Sequence, residues 1–92
     1  MRNEIEKLLK EELRILAIRT RARLNLSQRE MAIKLEMSER SYSDIETGVS
    51  MCGTLTTILL LSEQEDPYSY LQALKKKFNA LLEDDIQLIW VI

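Results

Sequence analysis

The chain has no histidine, only one cysteine and one proline, and only two glycines in 92 residues. Without histidine it lacks the usual general base and the commonest metal ligand, and Cys52 alone cannot form an internal disulfide or a metal cluster. There is also no glycine-rich phosphate loop, and serine and cysteine have no nearby base of the usual kind. We therefore expect no enzyme activity, no catalytic residue, no metal and no cofactor.

Scarce glycine and proline also bear on the fold, as does the lack of alternating apolar stretches bounded by hairpin turns. Both features favour an all-α chain. A length of 92 residues with a 46% hydrophobic fraction suits one small domain with one core. The prediction is a compact bundle of four to five helices with an extended first helix and an apolar C-terminal segment.

Long apolar runs are missing as well. Runs such as residues 58–61 are far too short to span a bilayer, and no signal peptide is evident at the charged N-terminus. A single cysteine fits a reducing compartment. We expect a cytoplasmic protein that does not bind membranes.

The most informative stretch runs from Ser27 to Gly48. Ser27 and Glu30 have the spacing of a capping box at the start of a first short helix. Ser38 can cap a second short helix, in which Tyr42 lies on the apolar side, and Gly48 is a natural C-terminal stop. Two short helices joined by a tight turn are typical of a helix-turn-helix.

The flanking segments also read as helices. The first should begin about Glu4, with a capping box from Asn3 and Glu6, and run to Leu24 before Asn25 ends it. A fourth helix should run from Leu55 to about Gln64, capped by Thr54. Its core candidates are Leu55, Ile58, Leu59 and Leu61, while Leu60 is harder to place because its neighbours are apolar all round.

A fifth helix should begin at Asp66 and Pro67, a carboxylate cap followed by proline at the first helical position. Its apolar residues repeat every three or four places, as in a short coiled-coil seam: Leu71, Leu74, Phe78 and Leu81. The apolar tail, residues 86–92, fits a continuing helix or a strand. Either the chain's own core or a second copy should cover it, because an exposed apolar tail promotes aggregation.

Charge is unevenly distributed, although the net charge is only −2 and the pI about 5.2. Five arginines and no acid fall within residues 13–29, while acids collect at 4–12, 63–66 and 83–85. This basic segment can meet phosphates despite the acidic total, or it is an ordinary solvated helix face.

At these residues the chain resembles the lambda-repressor-like (Cro/XRE) helix-turn-helix family. The resemblance covers about residues 17–67, and Glu36 stands where the family has its turn glycine. The matching residues are Arg21, 26–32, Leu35, Met37, Ser38, Ile45, Glu46, Gly48, Leu55, Ile58 and Leu59.

The resemblance implies a helix-turn-helix DNA-binding domain, which we expect over 1–66. The C-terminal helix and apolar tail, 67–92, lie outside the family pattern and are expected to form a dimer, because a lone small domain buries little surface on DNA. Helix 2 would cover about 27–35, and recognition helix 3, about 39–47, would enter the major groove. An internal ion pair would join Arg21 to Glu46. The implied DNA contacts are Gln28, Arg29, Ser38, Glu39, Arg40, Ser41, Ser43, Asp44 and Thr47. The expected dimer contacts are Leu74, Phe78, Leu81, Leu88 and Trp90.

The expected function is that of a sequence-specific, repressor-like transcription regulator of bacterial or phage type, which binds double-stranded DNA as a homodimer. The alternative is a protein-interaction module on the same fold, such as an antitoxin or accessory phage protein, with weak or no DNA binding. A positive rim around helix 3 would favour DNA, and a negative face would favour a protein partner. The rim candidates are Arg19, Arg23, Arg29 and Lys34.

Overall fold

Five α-helices make up the computed structural model, which describes the backbone of residues 2–91 and the side chains of residues 2–83. The helices are α1 (Arg2–Leu24), α2 (Gln28–Lys34), α3 (Glu39–Glu46), α4 (Thr54–Ser62) and α5 (Pro67–Val91). No strand occurs within residues 2–91, so the predicted all-α fold is confirmed. Within the described residues, none of these helices combines the length and apolar character needed to cross a membrane.

The first helix starts earlier than predicted. α1 is already helical at Arg2, so Asn3 lies inside the helix and cannot cap it. Glu6 instead accepts a hydrogen bond from Nε of Arg2 at 3.0 Å. The predicted end is right: the helix stops at Leu24, and Asn25 takes a left-handed conformation with φ of 56°.

Local signals fix α2 and α3 as predicted. Oγ of Ser27 accepts from the amide of Glu30, and Oε1 of Glu30 accepts from the amide of Ser27, both at 3.0 Å. At α3, Oγ of Ser38 accepts from the amide of Ser41 at 3.1 Å. Gly48 follows with φ of 80°, in the left-handed region that glycine tolerates best.

The core lies where α1, α2, α3 and α4 meet. Two small residues of α1, Ala17 and Thr20, are fully buried, and so is Tyr42, whose hydroxyl donates to the carbonyl of Ala17 at 3.4 Å. Burial also raises the pKa of the Cys52 thiol. The buried hydrophobic residues of this cluster are Leu13, Leu16, Ala17, Met31, Ala32, Leu35, Tyr42, Ile45, Cys52 and Leu60.

The prediction for α4 is wrong in three respects. The N-cap is Gly53, Thr54 is the first helical residue, and the helix ends at Ser62 instead of about Gln64. Leu60 is fully buried, whereas Leu55 and Ile58 are 60% and 56% exposed. The reason is that α4 is apolar nearly all round, so its sequence does not say which side meets the rest of the bundle.

The last helix packs on the first. The carboxylate of Asp66 accepts from the amide of Ser69 at 3.1 Å, which confirms the predicted start. Lys77 pairs with Glu12 of α1, and Leu74 is buried. The backbone of residues 86–91 continues α5, so the tail is helix and not strand.

Candidate nucleic-acid interface

The hydrogen bonds of Glu46 hold α3 in place. Its carboxylate accepts hydrogen bonds from Nε of Arg21 at 2.6 Å and from Nη2 of Arg21 at 3.1 Å. The predicted ion pair between α1 and α3 is therefore present. The hydroxyl of Tyr42 also donates to this carboxylate. Arg21 in turn donates to the carbonyl of Leu26 at 3.2 Å, which ties the same network to the segment before α2.

Gln28 belongs to this network as well. It is the first residue of α2, and its Nε2 donates to Oε1 of Glu46 at 3.1 Å. One amide hydrogen therefore serves the protein and the other remains for an outside acceptor. The side chain is half-buried, and this hydrogen bond orients its amide group. The sequence did not predict this contact, because 18 residues separate its partners.

The pKa shifts of Glu46 and Tyr42 indicate that the Glu46 carboxylate is charged, while Tyr42 is a neutral donor to it. Burial alone raises the pKa of Glu46, but hydrogen bonds from Arg21, Tyr42 and Gln28 outweigh it, and the net shift is downward. Burial raises the pKa of Tyr42, and its hydrogen bond to Glu46 raises it further. Tyr42 thus stays a neutral donor, a role that its predicted place in the core did not reveal. The i, i+4 spacing of Tyr42 and Glu46 was the available signal.

Five of the predicted DNA contacts come together on one shallow, concave surface. We call it the α3 surface; it is lined by Gln28, Glu39, Arg40, Ser43 and Asp44. Glu39 and Arg40 are exposed at the start of α3, while Ser43 and Asp44 are half-buried one turn later. All five offer polar groups to solvent, and none is apolar. The surface therefore presents hydrogen-bond donors and acceptors from five polar side chains.

The other predicted contacts lie outside that lining. Ser38 and Ser41 bond to each other at the helix start, with 2.8 Å between their Oγ atoms. Thr47 donates its hydroxyl to the carbonyl of Ser43 at 3.0 Å. Arg29 is exposed on α2. The serines and Thr47 thus bond within their own helix ends, and Arg29 is the remaining solvent-facing cation of this group.

The predicted positive rim forms only in part. Lys34 pairs with Glu63 at 3.2 Å, and Arg23 pairs with Glu65 at 3.8 Å and also donates to the carbonyl of Glu63. Arg19 lines a separate cleft beside α5. Among the described residues, the side chains of Arg29 and Arg40 have no ion-pair or hydrogen-bond partner.

The sequence did not predict the part played by Glu63 and Glu65. They lie beyond α4, and no local pattern links them to cations of α1 and α2. Glu39 and Asp44 add two acids to the α3 surface. The local charge is therefore mixed, neither the basic rim nor the wholly negative face considered from sequence.

No family model, no curated protein and no solved structure matches this chain. The α3 surface itself has chemistry that bears on function. An arginine can form two hydrogen bonds to a guanine, a carboxylate can accept from the cytosine amino group, and serine can bond to phosphate. The α3 surface thus offers both hydrogen-bond donors and acceptors of the kinds that can meet base edges and phosphates.

Proposed function

We propose that the chain is a sequence-specific DNA-binding transcription regulator of bacterial or phage type, with α3 in the major groove. One observation carries the proposal: α3 has a wholly polar outward side next to Gln28, and an inward side held by Glu46 to α1 and α2. A helix whose inward side is fixed to the core and whose outward side is polar is suited to reading base edges. Such a regulator acts on DNA in the cytoplasm.

Each residue of the α3 surface then has a role. Arg40 reads guanine with two hydrogen bonds, and Glu39 or Asp44 accepts from a cytosine amino group. Ser43 and the remaining amide hydrogen of Gln28 bond to phosphate or sugar. Arg29, exposed on α2, supplies a phosphate contact beside them.

We propose that the chain binds DNA as a dimer, which its charge balance favours. Phosphate neutralisation supplies much of the affinity of DNA-binding proteins, and here two acids face the groove beside Arg40. A single small domain buries little surface on DNA. A two-fold dimer reading two half-sites doubles the contacts, and its target is an inverted repeat with half-sites about 10 base pairs apart. Of the dimer contacts expected from sequence, Leu74 is buried within its own chain, Phe78 and Leu81 are half-buried, and the side chains of Leu88 and Trp90 lie outside the described residues.

The test is selection from random-sequence DNA at two salt concentrations. We expect enrichment of an inverted repeat whose binding weakens with salt. Arg40→Ala should lower affinity by about 1–3 kcal/mol and relax the sequence preference at one position of each half-site. Arg23→Ala is the matched control, because Arg23 is paired with Glu65 away from the α3 surface and should change affinity little.

A protein-interaction module is the second candidate, favoured by the two acids on the α3 surface, Glu39 and Asp44. The same experiment separates the two. If no sequence is enriched and binding is absent even at low salt, DNA reading is wrong, and a basic protein partner for α3 becomes the better explanation. If Arg40→Ala binds the enriched repeat as tightly as the control Arg23→Ala and the wild type do, α3 is not the reading helix.

A further inference from the structure

The hydroxyl of Tyr42 gives this residue a contact that an apolar core residue could not make. The ring of Tyr42 is fully buried, and a phenylalanine would fill the same space. The hydroxyl donates to Oε2 of Glu46, one turn further along α3. A buried hydroxyl is tolerated only where a partner satisfies it, and here the partner is a carboxylate that also bonds to α1 and α2.

The two oxygens of the Glu46 carboxylate are shared evenly among its donors. Oε2 accepts from Nε of Arg21 at 2.6 Å and from the hydroxyl of Tyr42. Oε1 accepts from Nη2 of Arg21 at 3.1 Å and from Nε2 of Gln28 at 3.1 Å. Since a carboxylate has about four lone-pair sites, these donors occupy them all and fix where the carboxylate lies.

The carboxylate in turn determines which end of the Gln28 amide faces it. A charged carboxylate only accepts hydrogen bonds, so the amide nitrogen of Gln28 must lie on that side and the carbonyl oxygen cannot. The second amide hydrogen is then available to an acceptor at the α3 surface, which Gln28 lines. The orientation of Gln28 therefore depends on the position of Glu46.

We propose that Tyr42 is a positioning residue for the DNA contact of Gln28. Its hydroxyl fixes the Glu46 carboxylate, and the carboxylate orients the Gln28 amide before DNA arrives. A side chain that is already ordered loses less conformational entropy when it binds. The DNA contact in this inference rests on the proposed function, whereas the orientation of Gln28 in the free protein does not.

The first measurement is the affinity of the full chain carrying Tyr42→Phe for the DNA repeat enriched by selection. Removing the hydroxyl while keeping the ring should weaken binding by about two- to tenfold. Because Gln28 is neutral and bonds to phosphate or sugar, the loss should be similar for every DNA sequence and should leave the salt dependence unchanged.

The matched control is Tyr70→Phe. The hydroxyl of Tyr70 is also buried, but it has no hydrogen-bond partner within the described part of the chain. Removing it takes the same atom from the protein without touching Glu46, so DNA affinity should change less than about twofold.

A double-mutant cycle separates positioning from a general loss of stability. The loss of affinity caused by Gln28→Ala should be at least about twofold smaller in a chain that also carries Tyr42→Phe, because Gln28 is then no longer held ready. In a chain that carries Tyr70→Phe, Gln28→Ala should cost as much affinity as it does in the wild type.

A second measurement needs no DNA. The side-chain amide of Gln28 gives two proton signals in an NMR spectrum, which are assigned by their loss in Gln28→Ala. Tyr42→Phe should shift these signals and speed their exchange with water, because the carboxylate that holds the amide is no longer fixed. Tyr70→Phe should leave both signals in place.

Two results would overturn the inference. One is an effect of Gln28→Ala on DNA affinity that is the same with and without Tyr42→Phe, and the other is a pair of Gln28 amide signals that Tyr42→Phe does not change. If the wild type binds no DNA, the proposed function fails, and the NMR measurement still decides whether Tyr42 orients Gln28. Circular dichroism checks folding, and sucrose is added to every sample if Tyr42→Phe needs it to fold.

Discussion

At the scale of single residues, the turn between α2 and α3 contains one unfavourable backbone conformation, at Glu36. Glu36 has φ of 55°, in the left-handed region where the side chain of an L-residue crowds the following carbonyl. Its amide still bonds to the carbonyl of Ile33 at 3.1 Å, so the geometry of the turn is kept. The residue is exposed, and the strain is local.

We expect Glu36→Gly to raise the free energy of unfolding by roughly 0.5–1 kcal/mol. The relief of strain is worth about 1–2 kcal/mol and is partly offset by the greater freedom of glycine in the unfolded chain. Urea denaturation measures the change. Gly48→Ala is the matched control, because Gly48 has φ of 80° and should lose stability. A loss of stability in Glu36→Gly would show that the carboxylate contributes more than the strain costs.

Glu46 makes stability depend on pH in the acid range. Its pKa is below that of an ordinary glutamate, so the unfolded chain takes up a proton first as pH falls. The stabilisation is fully present above about pH 5, just above the unfolded pKa of about 4.3, and is lost as pH falls through the folded pKa. We expect Glu46→Gln to be less stable than the wild type at neutral pH, with the difference shrinking below about pH 4.

Urea denaturation at a series of pH values measures this difference. Glu39→Gln is the control, because Glu39 is exposed on α3 and lies outside the hydrogen-bond network of Glu46. The explanation fails if the difference between Glu46→Gln and the wild type is the same at every pH.

At the scale of secondary structure, α2 and α3 are too short to persist alone. They have seven and eight residues, whereas isolated helices need about 12–15 to be even marginally stable in water. Their end caps and their shared core contacts must hold them. The capping box of Ser27 and Glu30 satisfies amides that the first turn leaves unbonded.

Ser27→Ala should therefore lower the free energy of unfolding by about 1 kcal/mol. Hydrogen exchange should become faster in the first turn of α2, because that turn loses its hydroxyl acceptor. Ser50→Ala, in the exposed loop after α3, is the matched control and should change neither quantity. Equal effects of the two substitutions would mean that the cap does not stabilise α2.

The same contrast between local and distant causes explains which elements the sequence predicts. Ser27, Ser38 and Gly48 act on their own helix ends, so α2 and α3 can be predicted from adjacent residues. α4 cannot be oriented in this way. Its apolar residues surround the helix, and only contact with the rest of the bundle decides that Leu60 is inside and Ile58 outside.

At the scale of the whole molecule, ion pairs within the protein neutralise some cations of the basic segment, residues 13–29, and leave others facing solvent. Arg21 forms an ion pair with Glu46, and Arg23 forms one with Glu65. Lys34, on α2, pairs with Glu63. The pair with Glu46 could be anticipated from the resemblance. The pairs with Glu63 and Glu65 could not, because they depend on how the end of α4 meets α1 and α2. The polar residues of the α3 surface were identified from sequence, whereas their local charge balance was not.

The two sides of α3 have different structural roles, and this affects which substitutions the chain can tolerate during evolution. Tyr42, Ile45 and Glu46 are buried and hold the helix in place. Glu39 and Arg40 are exposed and take no part in the core. Mutations on the outward side can accumulate with little loss of stability, because they leave that framework untouched. Under the proposed function, duplicated copies of this chain could diverge to different target sites while inheriting one unaltered scaffold.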